Sequence, residues 1–307
     1  MMDYASICIL VPSFAKSSFE SWVASALVAP LIANTAYKFV KKIKSHGATE
    51  EDLLKLLALM VLGKGTLYLS GGSGRYAVRF YGKQYVLHEL FCQLVREING
   101  IRARPLYLAG RDTFITQVYS KKLVQMLLEL SPTFSTRNDE PPYPTIRYLY
   151  SLNGELLRDA VRLLFSVNGT VRPVFEKVGR FFYLRPQLGL GYLSPVSLLE
   201  EYQQLLRNFE MNMTIALDSR YPGRGFLVSN SWYTLEKFVE LGGFLDGVKV
   251  VKGDFKGLDK NSLAKLLLHM YRKGQTRFSS ADEKRKLVEK LSHASYIFKL
   301  SALRKLL

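Results

Sequence analysis

Two apolar segments about a hundred residues apart close on the same Gly-Thr step, and this recurrence constrains the fold more than any other feature. The first runs Leu57-Ala58-Leu59-Met60-Val61-Leu62-Gly63-Lys64-Gly65-Thr66, and the second Val161-Arg162-Leu163-Leu164-Phe165-Ser166-Val167-Asn168-Gly169-Thr170. Residues 53–63 are almost wholly apolar, as in a helix buried on several sides. Thr49 followed by Glu50, Glu51 and Asp52 supplies a cap and the acids that a helix N-terminus favours. Each segment is followed by the same alternation of strand pairs and apolar helices, so the chain reads as two copies of one α/β unit.

In the first copy, strands are expected over 66–70, 75–83, 102–108 and 112–119, with helices over 84–98 and 121–130. In the second, a helix over 155–167 leads to strands over 170–177, 180–185, 213–220 and 226–229, a helix over 196–208 and another starting near Ser231. Alternation puts Tyr76, Val78 and Phe80 on one face of a strand and Arg75, Arg79 and Tyr81 on the other. Met213, Ile215 and Leu217 likewise oppose Thr214, Asp218 and Arg220. Gly71-Gly72-Ser73-Gly74 lacks the Gly-Lys-Ser/Thr of a phosphate cradle and lies between alternating strands, which makes it a hairpin turn. Residues 131–143, with three prolines, Asn138 and Asp139, read as a linker. The expected partition is a helical extension over 1–48, a first unit over 49–131, a linker over 132–152, a second unit over 153–245 and a basic helical extension over 246–307. Within the last, helices are expected over 259–273 and 280–291.

Lys and Arg number 43 against 26 acids, a formal charge of +17. Such an excess favours a polyanion, because each cation placed near a phosphate releases condensed counterions. Cys8 and Cys92 are the only cysteines, too few for a disulfide framework, and an intracellular setting fits. The four histidines are far apart and form no metal-binding pair. Residues 21–37 are uncharged, but they are short for a bilayer span, contain Pro30 and Asn34, and follow no basic leader. They are expected to form a buried helix pair broken near Pro30, with neither a signal peptide nor a membrane partner.

The order of elements, the duplication and the two Gly-Thr endings resemble a single-chain LAGLIDADG homing endonuclease. Leu57 and Ala58 match the first two positions of that motif, and Gly63 keeps a small residue where two helices must approach. Leu59, Arg162 and Val167 depart from it. The resemblance covers roughly residues 53–242. It implies duplicated αββαββα units of the α+β class related by a pseudo-twofold axis, with antiparallel sheets forming a saddle over DNA between the terminal helical extensions.

The resemblance also implies an acid before the terminal Gly of each motif, holding magnesium for cleavage. Lys64 and Asn168 stand at those places: an ammonium repels a metal, and an amide offers only a neutral oxygen. The chain is therefore expected to need no cofactor and to bind double-stranded DNA as a monomer without cutting it. Lys64 either replaces the lost metal's charge against phosphates or is a solvated helix-end residue, and Asn168 is most simply a polar helix end. Glu200 with Glu201, and Asp282 with Glu283, read as solvated helix faces. The expected contacts are Arg75, Arg79, Lys83, Arg102 and Arg104 in the first unit, with Arg172, Arg180, Arg185, Thr214 and Arg220 in the second. Two rival readings stay open: an active magnesium-dependent endonuclease whose acids lie in another register, and an RNA-binding intron maturase.

Overall fold

The computed structural model describes residues 34–70, 75–136, 140–283 and 285–289. The glycine turn at 71–74, Asn138, Asp139, Cys8 and most of the apolar stretch 21–37 lie outside them. Residues 34–45 form helix α1, whose Ala36, Phe39, Val40 and Ile43 recur at helical spacing and are buried. None of the described helices is long and apolar enough to cross a membrane.

Helix α2 (Glu50–Lys64) begins with the expected cap: the Thr49 hydroxyl accepts from the Asp52 backbone N–H, and the Asp52 carboxylate accepts from the Thr49 N–H. Every residue from Leu53 to Leu62 is buried. One of them is Lys55, whose stem is covered while its ammonium reaches back to Glu51 at 2.7 Å. Helix α5 (Gly154–Asn168) is capped by Asn153 and packs beside α2. It carries a buried acid, Asp159, held by Lys42 of α1 at 2.8 Å and by Arg162 at 3.1 Å. A second ion pair, Lys44 with Glu97 at 2.6 Å, ties α1 to the first unit, so α1 spans both halves.

The first sheet has the order β1-β2-β4-β3, from β1 (Gly65–Ser70), β2 (Arg75–Gly82), β3 (Leu106–Leu108) and β4 (Thr113–Tyr119), all antiparallel. Helices α3 (Tyr85–Asn99) and α4 (Lys121–Leu130) pack against β2. The second sheet repeats the order as β5-β6-β8-β7, from β5 (Gly169–Val178), β6 (Phe181–Pro195), β7 (Thr214–Leu217) and β8 (Arg224–Ser229). Helices α6 (Val196–Arg207) and α7 (Trp232–Glu240) belong to this half, and α8 (Lys260–Arg272) packs on β5 and α7. Residues 281–283 and 285–289 are also helical. The fold is mixed α/β with two antiparallel sheets, as expected.

Several boundaries differ from the sequence expectation, for physical reasons. Arg102 and Arg104 lie in an irregular segment, because β3 starts only at Leu106, after Pro105. Strand β6 has fifteen residues, far longer than the 180–185 expected, since alternation fades where Leu188, Gly189, Leu190 and Gly191 are all buried. Its N-terminal part overhangs β8, and a fifth strand, β9 (Arg277–Phe278), pairs there with Phe182 and Tyr183. Strand β7 stops at Leu217, so Asp218 and Arg220 belong to the following turn, where they pair at 2.8 Å. Leu217, expected inside, is 67% exposed at the strand's end.

The end of the linker, at Thr145 to Arg147, is held in place. Glu201, read from the sequence as a solvated helix residue, accepts from the Thr145 hydroxyl, the Ile146 N–H and the Arg147 side chain. It docks the linker onto α6. His88, buried on α3, is bonded to Thr116 and to the Gly82 carbonyl.

Candidate nucleic-acid interface

Both central helices stop at a glycine from which a strand leaves at once. A Cβ on Gly65 would lie 2.7 Å from the Val61 Cα and from the Arg79 carbonyl oxygen, and one on Gly169 would lie 2.6 Å from the Phe165 carbonyl oxygen. Only glycine permits so tight an exit. The last helical residues, Lys64 and Asn168, are thereby brought to the mouth of one groove of about 1090 Å³. The two ends are close: a Cβ on Gly63 would stand 3.6 Å from the Asn168 Cβ.

The groove is also lined by Tyr81, Tyr192, Tyr221 and Arg224, and by Phe134 to Thr136 of the linker. Arg224 is buried and donates to the Thr136 carbonyl at 2.9 Å. Tyr192 arrives through a bulge in β6 between Leu190 and Ser194, where Gly191 has φ 72° and Leu193 φ 60°. Bulges commonly re-aim a side chain next to a functional site in this way. Lys64 is exposed at the mouth of the groove, where partial desolvation by the surrounding walls, with repulsion from Lys252, lowers its pKa.

Beside the groove stands Lys260, at the start of α8 and 9% exposed. Burial, with repulsion from Lys64, pulls its pKa down to about 8. Its ammonium faces the Phe244 ring at 4.9 Å. Nothing in the spacing of α8 singles Lys260 out, so sequence reasoning misses it.

A divalent ion needs oxygen ligands, mostly carboxylates. Among the described residues, none of those lining the groove is acidic. No group of three or more His, Cys, Asp or Glu able to hold a metal occurs among the described residues. Lys64, Asn168 and Arg224 do not fit such an ion.

Strand register defines the sheet faces turned away from the helices. In the first sheet, Thr66 pairs with Arg79 and Arg79 with Gln117, and Tyr68 pairs with Ala77 and Ala77 with Tyr119. Arg75 is exposed on this face. Arg79 lies over the Tyr68 ring at 4.8 Å. Its buried Nε and the buried Nε2 of Gln117 have no hydrogen-bond partner. In the second sheet, Arg172 donates to Gln187 at 2.7 Å, and Gln187 donates to Asn230, the residue just after β8, at 3.1 Å, a polar row across β5, β6 and the end of β8. Thr214 is exposed on the same face. Arg75 pairs with Ser70, five residues after Gly65, and Arg185 with Val174, five after Gly169, so these two arginines occupy equivalent places.

The other expected contacts are dispersed. Lys83 follows β2 and is paired with Asp112 at 2.6 Å. Arg180 sits at the tip of the β5–β6 hairpin, its guanidinium over Phe181. Arg220, in its turn, donates to Asp218 and to the Tyr192 hydroxyl at 3.0 Å. Gln117, Gln187 and Asn230 are absent from the contacts expected from sequence. For the first two, their place opposite the core residues of a strand is the available signal.

Two sheets of identical strand order flanking two packed helices make this the fold of the LAGLIDADG homing endonucleases. The chain is similar to a lysine-to-alanine mutant of I-SmaMI at 12% identity and a TM-score of 0.50, over 78% of this chain and 98% of that one. It also resembles mesophilic variants of the homing endonuclease I-DmoI, at 18% identity and a TM-score of 0.43 over 63% of this chain and 90% of that one. I-DmoI in complex with DNA and Ca matches over the same shares, at 19% identity and a TM-score of 0.43. No protein-family model and no curated protein matches the chain.

Proposed function

We propose that this protein binds double-stranded DNA without cleaving it. The observation that carries this reading is the groove at the ends of the central helices. Where the family resemblance expects metal-holding acids, this chain presents Lys64 and Asn168, with Arg224 in the same groove, and among the described residues no carboxylate lines the wall. A phosphodiester is attracted to such a groove. Hydrolysis there would lack both an activated water and a metal to stabilise the leaving oxygen.

Binding on this reading uses both sheets of one chain. Arg75 and Arg185 take phosphates at equivalent distances from the centre, while the half-buried side chains of Arg79 and Gln117 face base edges. The Arg172, Gln187 and Asn230 row does the same in the second sheet. Lys64 supports the centre as a fixed positive charge.

The test is duplex binding measured by fluorescence anisotropy from low to high salt, followed by incubation of plasmid and linear DNA with magnesium or manganese. Affinity should fall steeply with salt and the DNA should stay intact. Specific double-strand cuts would overturn the non-cleaving reading, and salt-independent or absent binding would overturn the DNA reading itself.

A further inference from the structure

The two open sheet faces differ in chemistry at equivalent places. The row Tyr68, Ala77 and Tyr119 of the first sheet corresponds, by register from Gly65 and Gly169, to Arg172, Gln187 and Asn230 of the second. The second row is joined by hydrogen bonds and presents polar groups. Its counterpart presents tyrosine: Tyr68 is 42% and Tyr119 65% exposed, while Ala77 between them is inaccessible.

We infer that the first sheet, besides meeting duplex DNA, is a stacking platform for unpaired nucleobases and takes a single-stranded segment over Tyr68 and Tyr119. The inference rests on the reading that these sheet faces meet nucleic acid. In a duplex every base face is already covered by its neighbours, and only edges and backbone are open to a protein. Exposed rings on a sheet have their best partner in a base whose face is free, and sheets that bind single strands stack bases on aromatic side chains in this way. The surrounding charge suits the same ligand. Arg79 is stacked on Tyr68 at 4.8 Å and lengthens the π surface with a cation. Arg75, exposed on the same strand, lies within reach of the backbone of a strand crossing the platform. The half-buried Arg79 and Gln117 flank the row on the neighbouring register pair.

Either an RNA loop or a locally opened DNA strand carries free bases, so the test uses three labelled probes of one sequence: single-stranded RNA, single-stranded DNA and duplex DNA. Wild-type protein should bind at least one single strand. Tyr68→Ala with Tyr119→Ala should weaken that binding at least about tenfold, given ~1–3 kcal/mol per stacked base, and leave duplex binding within about twofold. Tyr68→Phe with Tyr119→Phe, which keeps the rings, should restore it, and the better-bound single strand identifies the source. The platform is overturned if no single strand binds while duplex does, or if the alanine pair binds single strands like wild type. An equal loss on all three probes by a folded alanine pair overturns it as well. Absence of binding to every probe would instead remove the nucleic-acid reading on which it stands.

Discussion

Lys260 donates from Nζ to the carbonyl oxygen of Gly169 at 2.6 Å, so a residue beyond the duplicated units closes the end of the second central helix. Its pKa, about 8 against an ordinary 10.5, means that between these values the unfolded chain holds a proton that the folded chain has released. Stability from this residue therefore rises with pH from about 8 towards 10.5, and the cost of the buried charge is fully present below 8. Lys260→Met should abolish that rise, which has an upper limit of about 3 kcal/mol. Urea unfolding at pH 7.5 and 9.5 measures it; equal slopes in wild type and variant would show that the lysine is not desolvated.

His88 makes the opposite end of the pH range informative. Burial holds its pKa near 4 against an ordinary 6.5, so the unfolded chain takes up a proton first as pH falls. Its contribution is intact above about 6.5 and is lost progressively towards 4. Between pH 7 and 5 the protein should lose about 2 kcal/mol from this group, and His88→Gln should flatten the loss. Retention of the full pH dependence in a folded His88→Gln protein would assign it to other groups.

The contact of Gly63 with Val167 predicts a steric penalty. An added Cβ would meet the Val167 Cγ1 at 2.5 Å, so Gly63→Ala should cost roughly 1–3 kcal/mol through overpacking. The cost should shrink in a Val167→Ala background, where the opposing methyl groups are gone. A double-mutant cycle reads the coupling, and additive effects would place the strain elsewhere.

On β2, binding and stability should separate by face. Arg75→Glu with Arg79→Glu should leave stability within about 1 kcal/mol and weaken duplex binding strongly, by turning attraction into repulsion. Phe80→Ala should cost about 3–5 kcal/mol, since Phe80 is 1% exposed and stacks on Phe91 at 5.3 Å. Normal DNA affinity in the folded charge-reversed protein would remove this face from the interface.

The elements carried by strong periodicity are legible from letters alone. Residues 53–63 announce a helix buried all round, and Arg75 with Tyr76, Val78 and Phe80 announces the two faces of β2. Sites assembled from distant or irregular positions are not legible in this way. Arg102 and Arg104 look like strand residues, yet β3 begins only after Pro105. Arg220 looks like part of an alternating strand, yet that strand ends at Leu217. Lys260 and Glu201 carry no local signal, because what gives each its role is a partner more than fifty residues away, Gly169 or Thr145.

The meeting of Gly63 and Val167 also limits how the two halves can be combined. A symmetric assembly of two first halves would set glycine against glycine and leave a gap, and one of two second halves would crowd valine against valine. Each half has become the mould of the other, so neither can be exchanged for a copy of its sibling. The two halves thus fit only as one of each, which a single polypeptide supplies.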